Sequence, residues 1–270
     1  MSHDRMTLSG TIMSGGILFM SLAKHGIKHR YHWAKKAVDS SAIIGFLAIF
    51  LFIGFGYFDW LHGLFWLLLS PPFLVGFFMT KGLKRSPESH NLTNNQYWKT
   101  SLIGQLFFII LGFSIIFGGL IISYVGITIT FVKTDLEYLC ITPSQINEFN
   151  RYLIPVISHD RAGFGGGLIS VGLLVLMISL WGFRQGDKWI WWTLLFGSLP
   201  AFTSAFAVHF MIGYNDFYHL LPPIIATILL IIGLVKSNKF LHLIDKQTRY
   251  KTKNEQLLGK ETIFLDSNSK

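Results

Sequence analysis

Charged residues are scarce in this sequence. Only 14% of its 270 residues are Asp, Glu, Lys or Arg, whereas 51% are hydrophobic. A soluble domain usually carries about a quarter charged residues, so the composition argues against an ordinary water-soluble domain and favours the lipid bilayer. The single cysteine, Cys140, excludes an intramolecular disulfide. A secretory signal is not expected either, because no basic segment precedes the first apolar run.

The sequence contains several long apolar runs. Seven of them reach the minimum of about 17 residues that a membrane-spanning helix needs. They lie at residues 7–23, 40–57, 61–80, 101–128, 164–183, 189–212 and 217–235. The sequence therefore predicts an all-α, polytopic membrane protein with seven transmembrane helices.

The basic residues are distributed unequally between the connections. Most of the 23 lysines and arginines follow the first, third and fifth runs or lie in the C-terminal tail, whereas the other side keeps Arg5, Lys133, Arg151 and Arg161. Lys and Arg favour the cytoplasmic side, which predicts an N-terminus outside and a C-terminus in the cytoplasm. The net charge of +9 then indicates topology and attraction to anionic lipid, and not a nucleic-acid partner.

Two short motifs each occur twice. Ser2-His3-Asp4-Arg5 recurs as Ser158-His159-Asp160-Arg161, and Gly56-Tyr57-x-Asp59-x-x-His62 recurs as Gly213-Tyr214-x-Asp216-x-x-His219. Matches at a nearly constant offset indicate a duplicated unit. With seven spans, both units start outside, so we expect two parallel three-helix repeats joined by one linking helix.

The predicted segments follow from this arrangement. They are a first repeat (1–85), a linking transmembrane helix (86–130), an outer loop with a short helix (131–157), a second repeat (158–236) and a basic cytoplasmic tail (237–270). Thr142, Pro143 and Gln145 fit the N-cap, first position and capping box of the short helix. We expect this helix to cover the outer end of the bundle as a lid, through Phe149 and Tyr152.

The repeated residues are of the types that bind transition metals or transfer protons. The candidate ligand- or metal-binding residues are His3, Asp59, His62, His159, His209, Asp216 and His219, and the catalytic candidates are Asp4, Arg5, Asp160 and Arg161. His209 has no counterpart in the first unit and is included because it lies within a span. A structural interpretation is also open, in which the Asp of each His-Asp-Arg precedes a helix N-terminus, caps it and pairs with the Arg.

Two arrangements of these candidates are expected. In one, His3, His62, His159 and His219 converge in a shared site, with at least three side chains at metal–nitrogen distances of about 2.0–2.1 Å. In the other, a single asymmetric site uses His159, Asp160, His209, Asp216 and His219. No short metal motif such as H-E-x-x-H is present, so the metal hypothesis rests on clustering alone.

Several stretches resemble a known family. They are Phe131-Val132, Asp135 to Leu139, Asn150 to Pro155, Ser158 to Gly167 and the second Gly-Tyr-x-Asp-x-x-His. Together they are similar to an uncharacterised family of bacterial multispan membrane proteins, some members of which are named as, or joined to, dihydroorotate dehydrogenase. The resemblance covers nearly the whole chain. It implies a location in the bacterial cytoplasmic membrane and supports the repeat and the motif residues, but it implies no particular reaction.

Three functions are compatible with these observations. The first is an outward-facing redox or hydrolytic enzyme that binds a metal or a quinone, in which Arg5 and Arg161 hold an anionic or quinone-like substrate. The second is a transporter, a class in which parallel repeats are common. The third is a non-catalytic membrane anchor or partner subunit. The expected partner is the lipid bilayer, with a membrane or soluble redox partner left open. The cofactor is not fixed, and a transition metal or a quinone is compatible.

Overall fold

The computed structural model describes residues 2–50, 60–86 and 94–243. Over these residues the fold is built from α-helices, and a π-helical turn, Ala23–Ile27, continues the first of them. The helices are α1 (Ser2–Leu22), α2 (His32–Ala48), α3 (Trp60–Met79), α4 (Gln96–Thr128), α5 (Lys133–Leu139), α6 (Pro143–Phe149), α7 (Leu153–Trp181), α8 (Lys188–Ile212) and α9 (Phe217–His242).

Six helices within the described ranges are long and apolar enough to cross a membrane. They are α1 with its π-helical turn, α3, α4, α7, α8 and α9. The remaining predicted span, the second in chain order (40–57), begins in α2, which has 17 residues, and residues 51–57 of that run lie outside the described residues. The all-helical class is confirmed, and the six apolar helices fit a lipid bilayer environment. The count of seven spans stays a prediction.

Helix α7 lies at the centre of the bundle. In an apolar 18-residue stretch of α7, 50% of the residues are buried inside the protein, compared with 6% in the corresponding stretch of α3. It packs against α1, α2 and α4, while α8 packs on α1 and α9 packs on α4. The fully buried side chains at the centre include Leu18, Leu22, Phe108, Leu174 and Ile178. Because α3 keeps most of its apolar surface exposed, it is the helix that depends most on lipid.

Glycines let α4 and α7 approach each other closely. A Cβ atom added to Gly119 would lie 2.6 Å from the Gly165 carbonyl oxygen, and one added to Gly126 would lie 2.8 Å from the Ala162 backbone nitrogen. Small residues at a crossing are the usual means of close packing between membrane helices. Gly118, the neighbour of Gly119, has open space around it, so only one of the two glycines is required by packing.

The described motif residues all lie at one end of the bundle, which we call the motif end. The first His-Asp-Arg is in the opening turn of α1, and the second lies within α7, which begins at Leu153. The expectation that each Asp precedes and caps a helix is therefore wrong. The helix starts before each Asp, and both carboxylates are buried and paired with other side chains.

The segment between α4 and α7 contains two short helices where one was predicted. Helix α6 begins as expected: Gln145 Oε1 accepts a bond from the Thr142 backbone N–H at 2.8 Å, and Pro143 occupies the first turn. Its predicted role as a lid is not observed, because the Phe149 and Tyr152 side chains are 86% and 59% exposed. Helix α5 contacts the motif end instead, through Asp135 and Tyr138.

Candidate functional site

The five described candidate histidines form two groups. The first histidine group consists of His3, His209 and His219, and the second consists of His62 and His159. Among the residues that the structure describes, no set of three or more His, Cys, Asp or Glu side chains is arranged to enclose a metal ion. The expected convergence of His3, His62, His159 and His219 around one point is therefore not observed, and the asymmetric set is divided between the two groups. Asp59 lies outside the described residues.

His3 and His209 face each other through their Nε2 atoms. These atoms are 3.1 Å apart, and the ring planes meet at 71° with centroids 4.7 Å apart. His209 is buried near the C-terminal end of α8, whereas the His3 side chain is 22% exposed on the first turn of α1. The packing of α1 against α8 brings together two residues that are 206 positions apart.

The partners of the Nδ1 atoms decide where the protons lie. His209 Nδ1 is 2.6 Å from the Tyr214 carbonyl oxygen, which can only accept, so this nitrogen carries a hydrogen. His3 Nδ1 is 2.9 Å from Asp4 Oδ1, and Arg161 beside Asp4 stabilises the carboxylate anion. His3 Nδ1 therefore donates as well. In their neutral forms, both imidazoles then present a bare Nε2 lone pair to the other.

Two lone pairs facing each other at 3.1 Å repel unless a cation lies between them. A proton satisfies this requirement by converting one imidazole to imidazolium, which then donates to the other. A transition metal ion satisfies it too, because imidazole nitrogen binds such ions at about 2.0–2.1 Å. Histidines that bind metals usually donate their second ring N–H to a carboxylate or a backbone carbonyl. His3 and His209 each have such a partner.

His219, the third member of the first histidine group, contacts the side chain of Tyr214. The Tyr214 hydroxyl lies 3.0 Å from His219 Nδ1 and donates to Asp135 Oδ1 at 3.3 Å. Burial raises the pKa of the Tyr214 phenol to about 12, against a lowering by Thr134, and the Asp135 carboxylate raises it further. Tyr214 is therefore a neutral donor at physiological pH. The ring centroid of His219 is 6.4 Å from that of His3 and 6.3 Å from that of His209.

Asp216 has a structural role in this arrangement. Its Oδ2 accepts the backbone N–H of His219 at 3.1 Å, which makes it the N-cap of α9. It also lies 3.4 Å from His219 Nδ1. The Asp-x-x-His spacing thus fixes the start of α9 and with it the position of the His219 ring.

Arg161, on α7, bonds to residues of α1 and α5 and to the segment between α4 and α5. Its Nη1 atom lies 2.6 Å from Asp135 Oδ2 and donates to the Thr130 carbonyl oxygen at 2.5 Å, and its Nε atom lies 3.4 Å from Asp4 Oδ2. The side chain is only 14% exposed. A buried guanidinium held by two carboxylates and a carbonyl is a fixed positive charge behind His3.

The second histidine group has a similar layout. The rings of His62 and His159 meet at 76° with centroids 4.6 Å apart. His159 Nδ1 lies 3.2 Å from Asp160 Oδ1, and the other oxygen of Asp160 accepts from Arg5 Nε at 2.6 Å. Each Asp thus supports the histidine that precedes it and pairs with the Arg of the other motif.

Two residues that adjoin the first histidine group had no predicted role. Tyr214 is part of the repeated Gly-Tyr-x-Asp-x-x-His, and that repetition was a usable signal for it. Asp135 has no repeated counterpart and lies in a short helix outside the spans, so its contacts with Arg161 and Tyr214 depend on tertiary structure alone.

No family model, curated protein or solved structure matches this chain. The function is therefore argued from the chemistry of the motif end.

Proposed function

We propose that this chain is an integral membrane protein that binds a transition metal ion between His3 and His209 and uses it for redox or hydrolytic chemistry. The facing Nε2 atoms carry the proposal. Both nitrogens point at one position, and both Nδ1 atoms already donate to oxygen acceptors. Two bonds of about 2.0–2.1 Å can span the observed 3.1 Å with a nitrogen–metal–nitrogen angle of about 98°.

The remaining residues of the motif end suit such a site. Water or a ligand would complete the coordination, and His219 is the nearest further imidazole. A bound ion would act as a Lewis acid or as a redox centre for that ligand. Arg161 and Tyr214 hold the carboxylates of Asp4 and Asp135 in place, and Asp4 in turn orients the His3 imidazole toward the ion.

We further propose that the chain contains two parallel repeats, with the motif end outside the cell and the tail in the cytoplasm. The repeated motifs support the duplication, and so does the reciprocal pairing of Arg5 with Asp160 and of Arg161 with Asp4. The clustering of Lys and Arg at the other end supports the orientation. A location in the bacterial cytoplasmic membrane rests on the family resemblance alone.

Metal content tests the proposal directly. The full chain, purified in detergent, is titrated with Co²⁺, whose visible absorption reports coordination by nitrogen. We expect saturable binding that is lost in His209→Ala and in His3→Ala. His242→Ala is the matched control, because His242 lies at the opposite end of α9 from the motif end and should leave binding unchanged. Wild-type protein that binds no Co²⁺ would rule out the metal site.

A quinone site is the second candidate, and the same contact supports it. If a proton and not a metal bridges His3 and His209, the pair is a proton donor next to Tyr214 and His219. Such donors fit the two carbonyl oxygens of a quinone head group. A short-chain quinone should then quench tryptophan fluorescence saturably in the wild type and much less in His219→Ala, without any bound metal.

A further inference from the structure

Helix α5 lies against the first histidine group and is attached to it by side chains. The Tyr138 hydroxyl donates to the Ile212 carbonyl oxygen at 2.6 Å, and the centroids of the Tyr138 and Tyr214 rings are 4.5 Å apart. Thr134 Oγ1 lies 3.4 Å from His219 Nδ1. One face of α5 is therefore directed at the His219 and Tyr214 side of the group.

The opposite face of α5 is exposed. Lys133 and Glu137 are both exposed, whereas Asp135 is buried. Asp135 Oδ2 lies 2.6 Å from Arg161 Nη1, and Asp135 Oδ1 lies 3.6 Å from His219 Nε2. The helix thus separates His219 from the surroundings on this side of the motif end.

A helix of this length has little stability of its own. Helix α5 has seven residues, and isolated helices shorter than about 12–15 residues are marginal in water. Within the described residues, α5 is held by these side-chain contacts and not by the close backbone packing that joins α4 to α7. It can therefore separate from the bundle by local opening, while the membrane helices stay packed.

Residues in the left-handed backbone conformation lie just before and just after α5. Thr130 has a φ of 60° and Cys140 has a φ of 53°. Such values are unfavourable for residues other than glycine, and most of all for a β-branched residue. Thr130 is held there because its carbonyl oxygen accepts from Arg161 at 2.5 Å and its hydroxyl lies 2.6 Å from that of Ser158. The present position of α5 is thus strained at both ends, which is common in segments that switch.

We infer that α5 is a lid of the first histidine group, closed in this structure, that opens about Thr130 and Cys140 to admit a ligand. The identity of the ligand, a metal ion, rests on the proposed function, whereas the motion depends on the contacts of α5 alone. The bond from Tyr138 to the carbonyl of Ile212 holds the lid closed, because it joins α5 to the last residue of α8.

Chemical modification of His219 measures the opening without any ion. The full chain, in detergent with excess chelator, is treated with diethylpyrocarbonate, which acylates neutral imidazoles. Mass spectrometry follows the modification of His219, with His242 at the opposite end of α9 as the internal reference.

Tyr138→Phe keeps the aromatic ring and removes the hydroxyl that bonds to Ile212. Losing one net hydrogen bond changes an equilibrium by about 2–10-fold, so His219 should be modified about 2–10-fold faster than in the wild type. Tyr152→Phe is the matched control, because its hydroxyl bonds to Arg151 outside the lid, and it should match the wild type. Equal rates in the two variants would overturn the lid.

The hinge is tested at Cys140, which is exposed. Glycine adopts the left-handed conformation at little cost and alanine does not, so Cys140→Gly favours the closed lid relative to Cys140→Ala. His219 should therefore be modified more slowly in Cys140→Gly than in Cys140→Ala. Equal rates, or the reverse order, would overturn Cys140 as a hinge.

The kinetics of Co²⁺ binding connect the lid to the proposed site. Because opening precedes both entry and release, Tyr138→Phe should raise the association and dissociation rate constants by one factor, equal to that for His219 modification, and leave the affinity unchanged. Faster modification with unchanged Co²⁺ rates would overturn control of access by α5 and leave the proposed function standing. Wild-type protein that binds no Co²⁺ would overturn the proposed function, and faster modification of His219 in Tyr138→Phe would still support the lid.

Discussion

Arg161 and Asp4 belong to different copies of the His-Asp-Arg motif, and in the folded chain they form an ion pair with Nε 3.4 Å from Oδ2. The reciprocal pair, Arg5 with Asp160, is formed as well. The Asp and the Arg of each motif therefore gain these ion-pair partners only when the other motif is packed beside it. This exchange couples the first turn of α1 to the N-terminal part of α7.

The two exchanged pairs should differ in their contribution to stability. Replacing Arg161 with Leu leaves the buried carboxylates of Asp4 and Asp135 without their guanidinium, and breaking a buried pair costs about 3–5 kcal/mol. Arg5 is 57% exposed, so water can take its place beside the buried Asp160 carboxylate, and the loss of Arg5 should cost less than the loss of Arg161. Thermal unfolding in detergent should show a large loss for Arg161→Leu and a small one for Arg5→Leu. Equal losses would contradict the burial difference.

Tyr214 should titrate well above the ordinary pKa of a tyrosine. Its folded-state pKa of about 12 exceeds the ordinary value of 10.0, so the folded protein holds the phenol proton more tightly than the unfolded chain does. This contribution to stability is complete below the ordinary pKa and is lost as the pH rises through the folded pKa. The difference in tyrosinate absorbance between wild type and Tyr214→Phe should have its midpoint near pH 12. A midpoint near 10 would show that the phenol is not buried.

Adjacent glycines on α4 offer a matched test of the α4–α7 crossing. Gly119→Ala places a Cβ atom 2.6 Å from the Gly165 carbonyl oxygen, whereas Gly118→Ala meets nothing within 4 Å. Overpacking typically costs about 1–3 kcal/mol, so Gly119→Ala should lower the unfolding temperature and weaken ligand binding at the motif end. Gly118→Ala should match or exceed the wild type, because alanine favours the helix. Indistinguishable variants would contradict the close crossing.

The orientation can be tested with the native cysteine. Cys140 is exposed in the segment between α5 and α6, which lies outside the cell in the proposed orientation. In intact cells it should react with a membrane-impermeant maleimide. A Cys140→Ser, Ser267→Cys double variant should react only after permeabilisation. The opposite pattern would mean that the orientation is inverted.

Part of the motif end was predictable from the sequence because its residues belong to short sequence motifs that occur twice. Asp4, Arg5, Asp160 and Arg161 were singled out by repetition, and the structure buries both Asp residues and pairs them with the Arg residues. Their assumed role as helix caps was wrong. The position of a helix start depends on residues upstream of the motif, such as the segment from Leu153, and the motif itself carries no information about them.

The choice of histidine partners was not predictable from the sequence. The duplication suggested one shared site, but His3 pairs with His209, which has no repeated counterpart, and His159 pairs with His62. Asp135, from a seven-residue helix, joins the first group. These contacts are set by how α1 packs on α8 and where α5 rests on the bundle, and neither leaves a periodic signal.

The sequence by itself determined the all-helical, apolar class of the protein and singled out the repeated His, Asp and Arg residues of the motif end. Low charge and long apolar runs are sufficient for membrane helices, because a bilayer selects on length and polarity alone, and a repeated motif identifies its own members. Only the tertiary structure decided which side chains meet. The 206-residue separation of His3 and His209 is closed by the packing of whole helices, and steric fit between helix surfaces, including the glycine crossing of α4 and α7, fixes that packing.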